Sequence, residues 1–192
     1  TGALTLSNYT QKECRRGVLP HSSKVRECSL DSLIQLNSIL TNPSIAQQKK
    51  LEKICLITAE MIDGADRVSL WTFEHDLTQI RSIICYDAPS GSFSSNAVLR
   101  KRDFAPYFDA ILNQNVVTAP DAHRHPATAC FTEAYFIPNN IVSLLDYVLH
   151  QDFQPKGVIC CESIGKPTLW KKSDVDMLKK IAFACSLYFE LT

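Results

Sequence analysis

Ile141-Val-Ser-Leu-Leu-Asp-Tyr-Val-Leu149 and Gly157-Val-Ile-Cys-Cys-Glu-Ser-Ile164 decide the fold class. Both runs are rich in strand-forming residues, and the residues between them close a hairpin. Each carries one acid, Asp146 or Glu162, in an otherwise apolar strand. Upstream, Arg67-Val-Ser-Leu-Trp-Thr-Phe-Glu74 and Ile80-Arg-Ser-Ile-Ile-Cys-Tyr86 flank the turn-like His75-Asp76 and predict a second hairpin. Val68 and Leu70 point to one face, Trp71 and Phe73 to the other, so the sheet is buried on both sides.

Helical spacing surrounds these strands. Leu30, Leu33, Ile34, Leu36, Ile39 and Leu40 predict a helix over 29–42. Asn42 reads as a cap and Pro43 as a first helical position, with Leu51, Ile54, Cys55, Thr58, Met61 and Ile62 as the buried seam of a helix over 43–63 that Gly64 ends. Residues 88–95 are loop and Ala97–Arg100 a short strand. Phe104, Tyr107, Phe108, Ile111 and Leu112 predict a short helix, Val116–Thr118 a strand, and 126–137 a further helix opened by Pro126. Ser173 with Asp176 reads as a capping box for a last helix that runs through Leu191. The order of elements makes an α+β layer with an antiparallel sheet.

The last helix carries two interleaved apolar seams: Val175, Leu178, Ala182, Cys185 and Phe189, and Met177, Ile181, Ala184, Tyr188 and Leu191. If only the first faces the sheet, then Ile181, Ala184, Tyr188 and Leu191 are left for a partner helix in a homodimer. The other solution places the helix inside one subunit, between the sheet and helix 29–42.

Composition bounds the function. The 192 residues balance 20 basic against 20 acidic side chains, with 45% apolar and 21% charged residues, as in an ordinary globular protein. A net charge of zero removes the basic field that non-specific nucleic-acid binding requires, and no apolar run is long enough to span a membrane. The charge is unevenly spread: residues 1–28 hold five basic and two acidic side chains, leaving +3 on this segment and −3 on the remainder. Without periodicity, 1–28 reads as a flexible or loosely docked leader ahead of a 43–192 domain. Eight cysteines match no zinc spacing, and Cys160 and Cys161 point to opposite faces of a strand, so buried free thiols in a reducing cytoplasm are expected.

Specific blocks then carry a resemblance. Arg67-Val-Ser-Leu-Trp-Thr-Phe, Asp121-Ala-His-Arg-His-Pro-Ala-Thr, Phe131-Thr-Glu-Ala-Tyr-Phe, Ile141-Val-Ser-Leu-Leu-Asp-Tyr-Val, Gly157-Val-Ile-Cys-Cys-Glu-Ser-Ile-Gly and Leu169-Trp-Lys-Lys-Ser-Asp occur in order over about 44–191. Together they resemble the GAF domains of bacterial signalling proteins, above all those ahead of diguanylate cyclase (GGDEF) and histidine kinase domains. The resemblance implies a five- or six-stranded antiparallel sheet with terminal helices on one face. Middle helices and loops cover the other face, which holds a small-molecule pocket in those members that bind a ligand. It also implies a cytoplasmic regulatory module that binds a small molecule, dimerises through its terminal helices, or both, and so controls a C-terminal effector. Where the family usually has Asp-Pro-Arg-Thr, this chain has His125-Pro126-Ala127-Thr128, without the acid and the arginine.

The candidate ligand residues are Trp71, Tyr86, Tyr107, Asp121, His123, Tyr135, Asp146 and Glu162. A buried carboxylate needs a partner, so Asp146 and Glu162 are either the floor of a ligand pocket or are satisfied by backbone amides or a loop residue such as Arg124. The aromatic residues either line a cavity or are plain core. Asp121, His123 and His125 lack a further fixed ligand and make a poor metal site, and haem through either histidine is weaker still. Cys130 does not precede a histidine, unlike the bilin-attaching cysteine of phytochrome-like GAF domains. The small GAF proteins that reduce free methionine sulfoxide need reactive cysteines in an open pocket, whereas those here fall in strands and helix interiors. No phosphate loop, Ser-His-Asp pattern or zinc-hydrolase motif is present. The expectation is therefore a non-enzymatic fragment whose cofactor and ligand the sequence does not identify, with a degenerate, dimer-only GAF domain or a reductase as alternatives.

Overall fold

A computed structural model describes residues 22–188 of the chain. Two helices come first, α1 (Ser22–Thr41) and α2 (Gln47–Met61). Next are β1 (Arg67–Glu74), β2 (Gln79–Asp87), β3 (Ser92–Ser94), β4 (Val98–Arg100), α3 (Ala105–Gln114) and β5 (Val116–Ala119). An irregular helical stretch over 129–139 leads to β6 (Ile141–Gln151), β7 (Gln154–Ile164) and α4 (Lys172–Tyr188).

The sheet runs β3-β2-β1-β7-β6-β5, with β4 also paired to β2. Every pairing is antiparallel. The two expected hairpins form its body, and the two three-residue strands on β2 bring the count to seven, above the five or six expected. The β6–β7 hairpin is longer than anticipated, because residues beyond Leu149 and before Gly157 continue the ladder as far as Gln151 and Gln154. Its turn places Asp152 and Phe153 at positive φ, with Phe153 97% exposed.

Two cores lie on opposite faces of the sheet. Under α1, α2 and α4, Val68, Leu70, Ile84, Leu145, Ile159 and Cys161 meet Leu36, Leu40, Ile54, Leu178 and Ile181. On the distal face, Trp71, Val117, Leu144, Val158 and Cys160 meet Tyr107, Phe108, Ile111, Phe131 and Phe136. The split of Val68 and Leu70 from Trp71 and Phe73 follows the sequence pattern, with a register shift between Leu70 and Trp71. Cys160 and Cys161 likewise divide between the two cores, and the six described cysteines are free thiols.

Several local expectations are corrected. The first helix opens at Ser22 and not at 29, so only residues 1–21 of the leader lie outside the described residues. Asn42 does not cap α2: its Oδ1 accepts the Ser44 N–H at 2.9 Å, a local turn that delays the helix to Gln47. The capping box of α4 is shifted by two residues, since Asp174 Oδ2 accepts the Lys171 N–H at 2.7 Å. The 126–137 helix is replaced by a turn over 125–128 and the irregular stretch over 129–139. Gly64 does end the second helix, at φ +83°, where a Cβ would stand 2.6 Å from Thr168 Oγ1.

The dimer seam assigned to the last helix is also corrected. Ile181 is fully buried and Ala184 6% exposed, both in the core shared with α1, α2 and the sheet. The helix is thus sandwiched within one subunit, because Leu36 and Leu40 of α1 reach the same core as Ile181. Among its described side chains the large exposed apolar one is Phe183, while the Tyr188 side chain and Leu191 lie outside the described residues. Ser186 Oγ accepts the His150 N–H at 3.1 Å and donates to the Ala182 carbonyl at 2.9 Å, joining α4 to the end of β6.

Candidate functional site on the distal sheet face

Strand alternation puts Asp146 on the same face as Leu144 and Val148, and Glu162 on the same face as Cys160 and Val158. The β6–β7 register sets Asp146 opposite Cys160 and Leu144 opposite Glu162, so the two acids are diagonal neighbours on the distal face. Both are buried, Asp146 completely and Glu162 to 4% exposure. Arg67 pairs with Glu162 across β1–β7 and with Asp87 across β1–β2, so an acid–base–acid row runs over three strands.

The partners of these carboxylates come from the layer above. Tyr107, in the first turns of α3, donates its hydroxyl to Asp146 Oδ2 at 2.5 Å. Tyr135, in the 129–139 stretch, donates to Glu162 Oε2 at 2.8 Å. Neither a backbone amide nor Arg124 fills these roles. Arg124 is an exposed side chain whose nearest carboxylate is Asp121, at 3.8 Å. Asp146 Oδ1 is buried with no hydrogen-bond partner, although the Cys160 thiol lies alongside as a weak donor.

Arg67 ties the row to the covering layer. Its Nη2 donates to Asp87 Oδ2 at 2.8 Å and its Nη1 to Asn139 Oδ1 at 3.1 Å, while Asn139 Nδ2 donates to the Tyr135 carbonyl at 2.8 Å. Sequence reasoning missed Arg67, Asp87 and Asn139 as members of this site. Their one visible signal is the period-2 spacing of Arg67 and Ser69 on the distal face of β1.

Electrostatics follow from burial. Loss of water raises the Asp146 carboxyl from 3.8 to about 8, against the lowering effect of the Tyr107 hydroxyl. Burial raises Glu162 from 4.5 to about 7, opposed by the Tyr135 hydroxyl and the charge of Arg67. Arg67 is held above its usual range: burial pulls it down, and bonds to Asp87 and Tyr135 more than offset that. Burial also pushes the Cys160 and Cys161 thiols well up, and Cys85 to about 11. These are inert thiols, not reactive thiolates.

The other candidate residues divide. Trp71 belongs to the distal core and donates its indole N–H to Ser69 Oγ at 2.8 Å. Tyr86 does not belong there: its register with Val68 places it on the helical face, against Phe93 with ring centroids 4.9 Å apart. Asp121 is an exposed loop residue whose Oδ1 accepts the Arg124 N–H at 3.2 Å. His123 is half-buried, donates Nε2–H to the Ile141 carbonyl at 2.7 Å and packs on Phe136. The departing run His125–Thr128 satisfies itself locally, with Thr128 Oγ1 bonded to the Ala122 carbonyl at 2.7 Å. Among the described residues no cluster of three or more histidine, cysteine or acidic side chains is placed to hold a metal ion. Two surface concavities lie apart from the carboxylates. One of about 490 Å³ runs between α3 and His125–Ala127, and one of about 270 Å³ lies beside Gly64 and Thr168.

No family model matches the sequence, and no curated protein matches it. The fold itself is GAF-like. The chain is similar to the GAF domain of an Acinetobacter phosphoenolpyruvate-protein phosphotransferase, at 14% identity and a TM-score of 0.66, with 84% of this chain and 92% of that one covered. It is also similar to a free methionine-R-sulfoxide reductase from Neisseria meningitidis, solved with its substrate, at 16% identity and a TM-score of 0.63, covering 91% and 95% of the two chains. A third similar structure is the cyanobacteriochrome receptor PixJ, at 17% identity and a TM-score of 0.60, covering 81% and 95%. At such identities the likeness is one of fold. No helix among the described residues is long and apolar enough to cross a membrane.

Proposed function

We propose that this chain is a cytoplasmic sensory or regulatory module that binds a small molecule on the distal sheet face and controls a C-terminal effector, a diguanylate cyclase or a histidine kinase. The observation that supports a ligand is Asp146 Oδ1, a buried carboxyl oxygen with only the weakly bonding Cys160 thiol beside it. Two acids gathered on one buried face cost stability unless they are paired or hydrogen-bonded, and a role in recognition is a reason for such a cost to be kept. Homodimerisation belongs to the same proposal, through the exposed Leu30 and Ile34 of α1 and Phe183 of α4.

A dimer-only module is the second reading, favoured by the tyrosine hydroxyls that already occupy one oxygen of each acid. Native mass spectrometry of the freshly purified full chain separates the two. A retained small molecule that is lost in Asp146→Ala supports ligand sensing. A protein that carries no added mass, yet dimerises through Phe183, supports the second reading. Reductase activity is disfavoured, because the described thiols with resolved shifts are all raised and not activated.

A further inference from the structure

Arg67 on β1 and Glu162 on β7 are direct partners in the ladder and share the distal face, yet each is bonded elsewhere. The Arg67 guanidinium donates to Asp87 at 2.8 Å and to Asn139 at 3.1 Å, while Glu162 accepts the neutral Tyr135 hydroxyl at 2.8 Å. Opposed side chains on paired strands have Cβ atoms about 4.5–5.5 Å apart, so the two lie within reach of one another. An ionised carboxylate so placed takes the guanidinium, because a charge-assisted bond is roughly twice as strong as a neutral one. The bonding seen is that of a protonated Glu162. Among the described residues facing Glu162, Arg67 is the cation. Asp146 on β6 and Asp87 on β2 are acids, Cys85 on β2 and Cys160 on β7 are thiols kept protonated by burial, and the Tyr107 hydroxyl of α3 is committed to Asp146. His123 donates to the Ile141 carbonyl, and Asp66 accepts the Ile164 N–H at 3.0 Å. Burial holds the Glu162 carboxyl at about 7, so both of its forms are populated near neutral pH.

We propose that Glu162 is a proton switch for the turn over 137–140. Protonated, it keeps Tyr135 and leaves Arg67 to Asn139. Ionised, with its proton released to solvent, it draws the guanidinium to itself, and Asn139 loses its bond to β1. A proton needs no cavity, so the switch stands apart from any small molecule on this face. Asp146 meets no cation and holds its proton to higher pH, so it stays largely neutral while Glu162 changes. Little else holds the turn. Ile137 is 57% exposed, Asn140 sits in the left-handed region at φ +53°, and the Asn139 Nδ2 bond runs to the Tyr135 carbonyl within the same stretch. The Asn140 carbonyl accepts the Gly165 N–H at 2.8 Å, so loosening of the turn reaches the loop between β7 and α4.

Amide hydrogen exchange of the full chain, at about pH 5.5 and about pH 8, provides the test, with each amide referred to its unstructured rate at the same pH. The amides of α2 report the loosening of the fold as a whole. In wild type, the amides of Asn140 and Gly165 are expected to lose about tenfold more protection than those of α2 as the pH rises. Glu162→Gln has no proton to lose and keeps Arg67 on Asn139, so there the turn and α2 are expected to change together. Asn139→Ala removes the bond that the switch acts on, so its turn is expected to be loose at both pH values, again without the excess. A wild-type turn that loses no more protection than α2 overturns the switch, as does an excess that survives either substitution. Should Glu162→Gln not fold, Asn139→Ala decides by the same comparison.

Discussion

Raising the pH should loosen this fold, with Asp146 the largest cause. A buried acid whose carboxyl rises on folding holds its proton more tightly in the native chain than in the unfolded one. Its stabilising effect is complete below the unfolded value and is lost as pH climbs to the folded one. For Asp146 that window runs from 3.8 to about 8, and for Glu162 from 4.5 to about 7. The Asp146 displacement is on the order of 5 kcal/mol. The two acids repel one another once both ionise, so their effects do not simply add. Even half of the Asp146 figure, about 2.5 kcal/mol, lowers the Tm of a domain of this size by roughly 5–10 °C. Asp146→Asn keeps the shape and has no proton to lose. Calorimetric melting of both proteins from about pH 5 to pH 9 should show the wild type falling steeply through the neutral range and the variant falling only by the share of Glu162. Subtracting one profile from the other cancels the groups that do not touch Asp146 and leaves Asp146 together with its coupling to Glu162. A wild-type Tm that is flat over this range, or a variant with the same slope, refutes the burial of Asp146 as an uncompensated acid.

Two further substitutions test the packing. Ile181→Asp puts a charge into the core shared by α1, α4 and the sheet and should cost about 4 kcal/mol or more, seen as collapse of the urea midpoint in the monomer itself. A residue on a dimer seam would instead change association while the subunit stayed folded. Phe153→Gly relieves a left-handed backbone at φ +62° and removes an almost fully exposed ring, so it should raise stability by about 0.5–1 kcal/mol in urea unfolding.

Much of the fold was legible because strand alternation is a strict period. Once Val68 and Leu70 were set against Trp71 and Phe73, the two cores followed, and the hairpin register brought Asp146 and Glu162 to one face. What answers those acids was not legible. Tyr107 lies 39 positions before Asp146 and Tyr135 27 before Glu162, and only the packing of α3 and the 129–139 stretch brings them together. Tyr86 was misplaced because an aromatic side chain by itself names no face of a strand, whereas its partner Val68 does. The two seams of α4 were visible, but not how deeply α1 covers the second, since that depends on where Leu36 and Leu40 land. Asn42 misleads because an asparagine that bonds Ser44 and one that caps a helix have the same local sequence signature.

The bond between the His150 amide and the Ser186 hydroxyl makes the last helix and the long hairpin one lever. His150 stands four residues along β6 from Asp146, a reach of about 13 Å in an extended strand. A twist of α4 about its own axis must either break that bond or carry the end of β6 with it. The Ser186 hydroxyl thus adds one directional polar tie, at the far end of β6 from the buried acids, to the apolar packing of Leu178 and Ile181 that already seats α4 on the sheet.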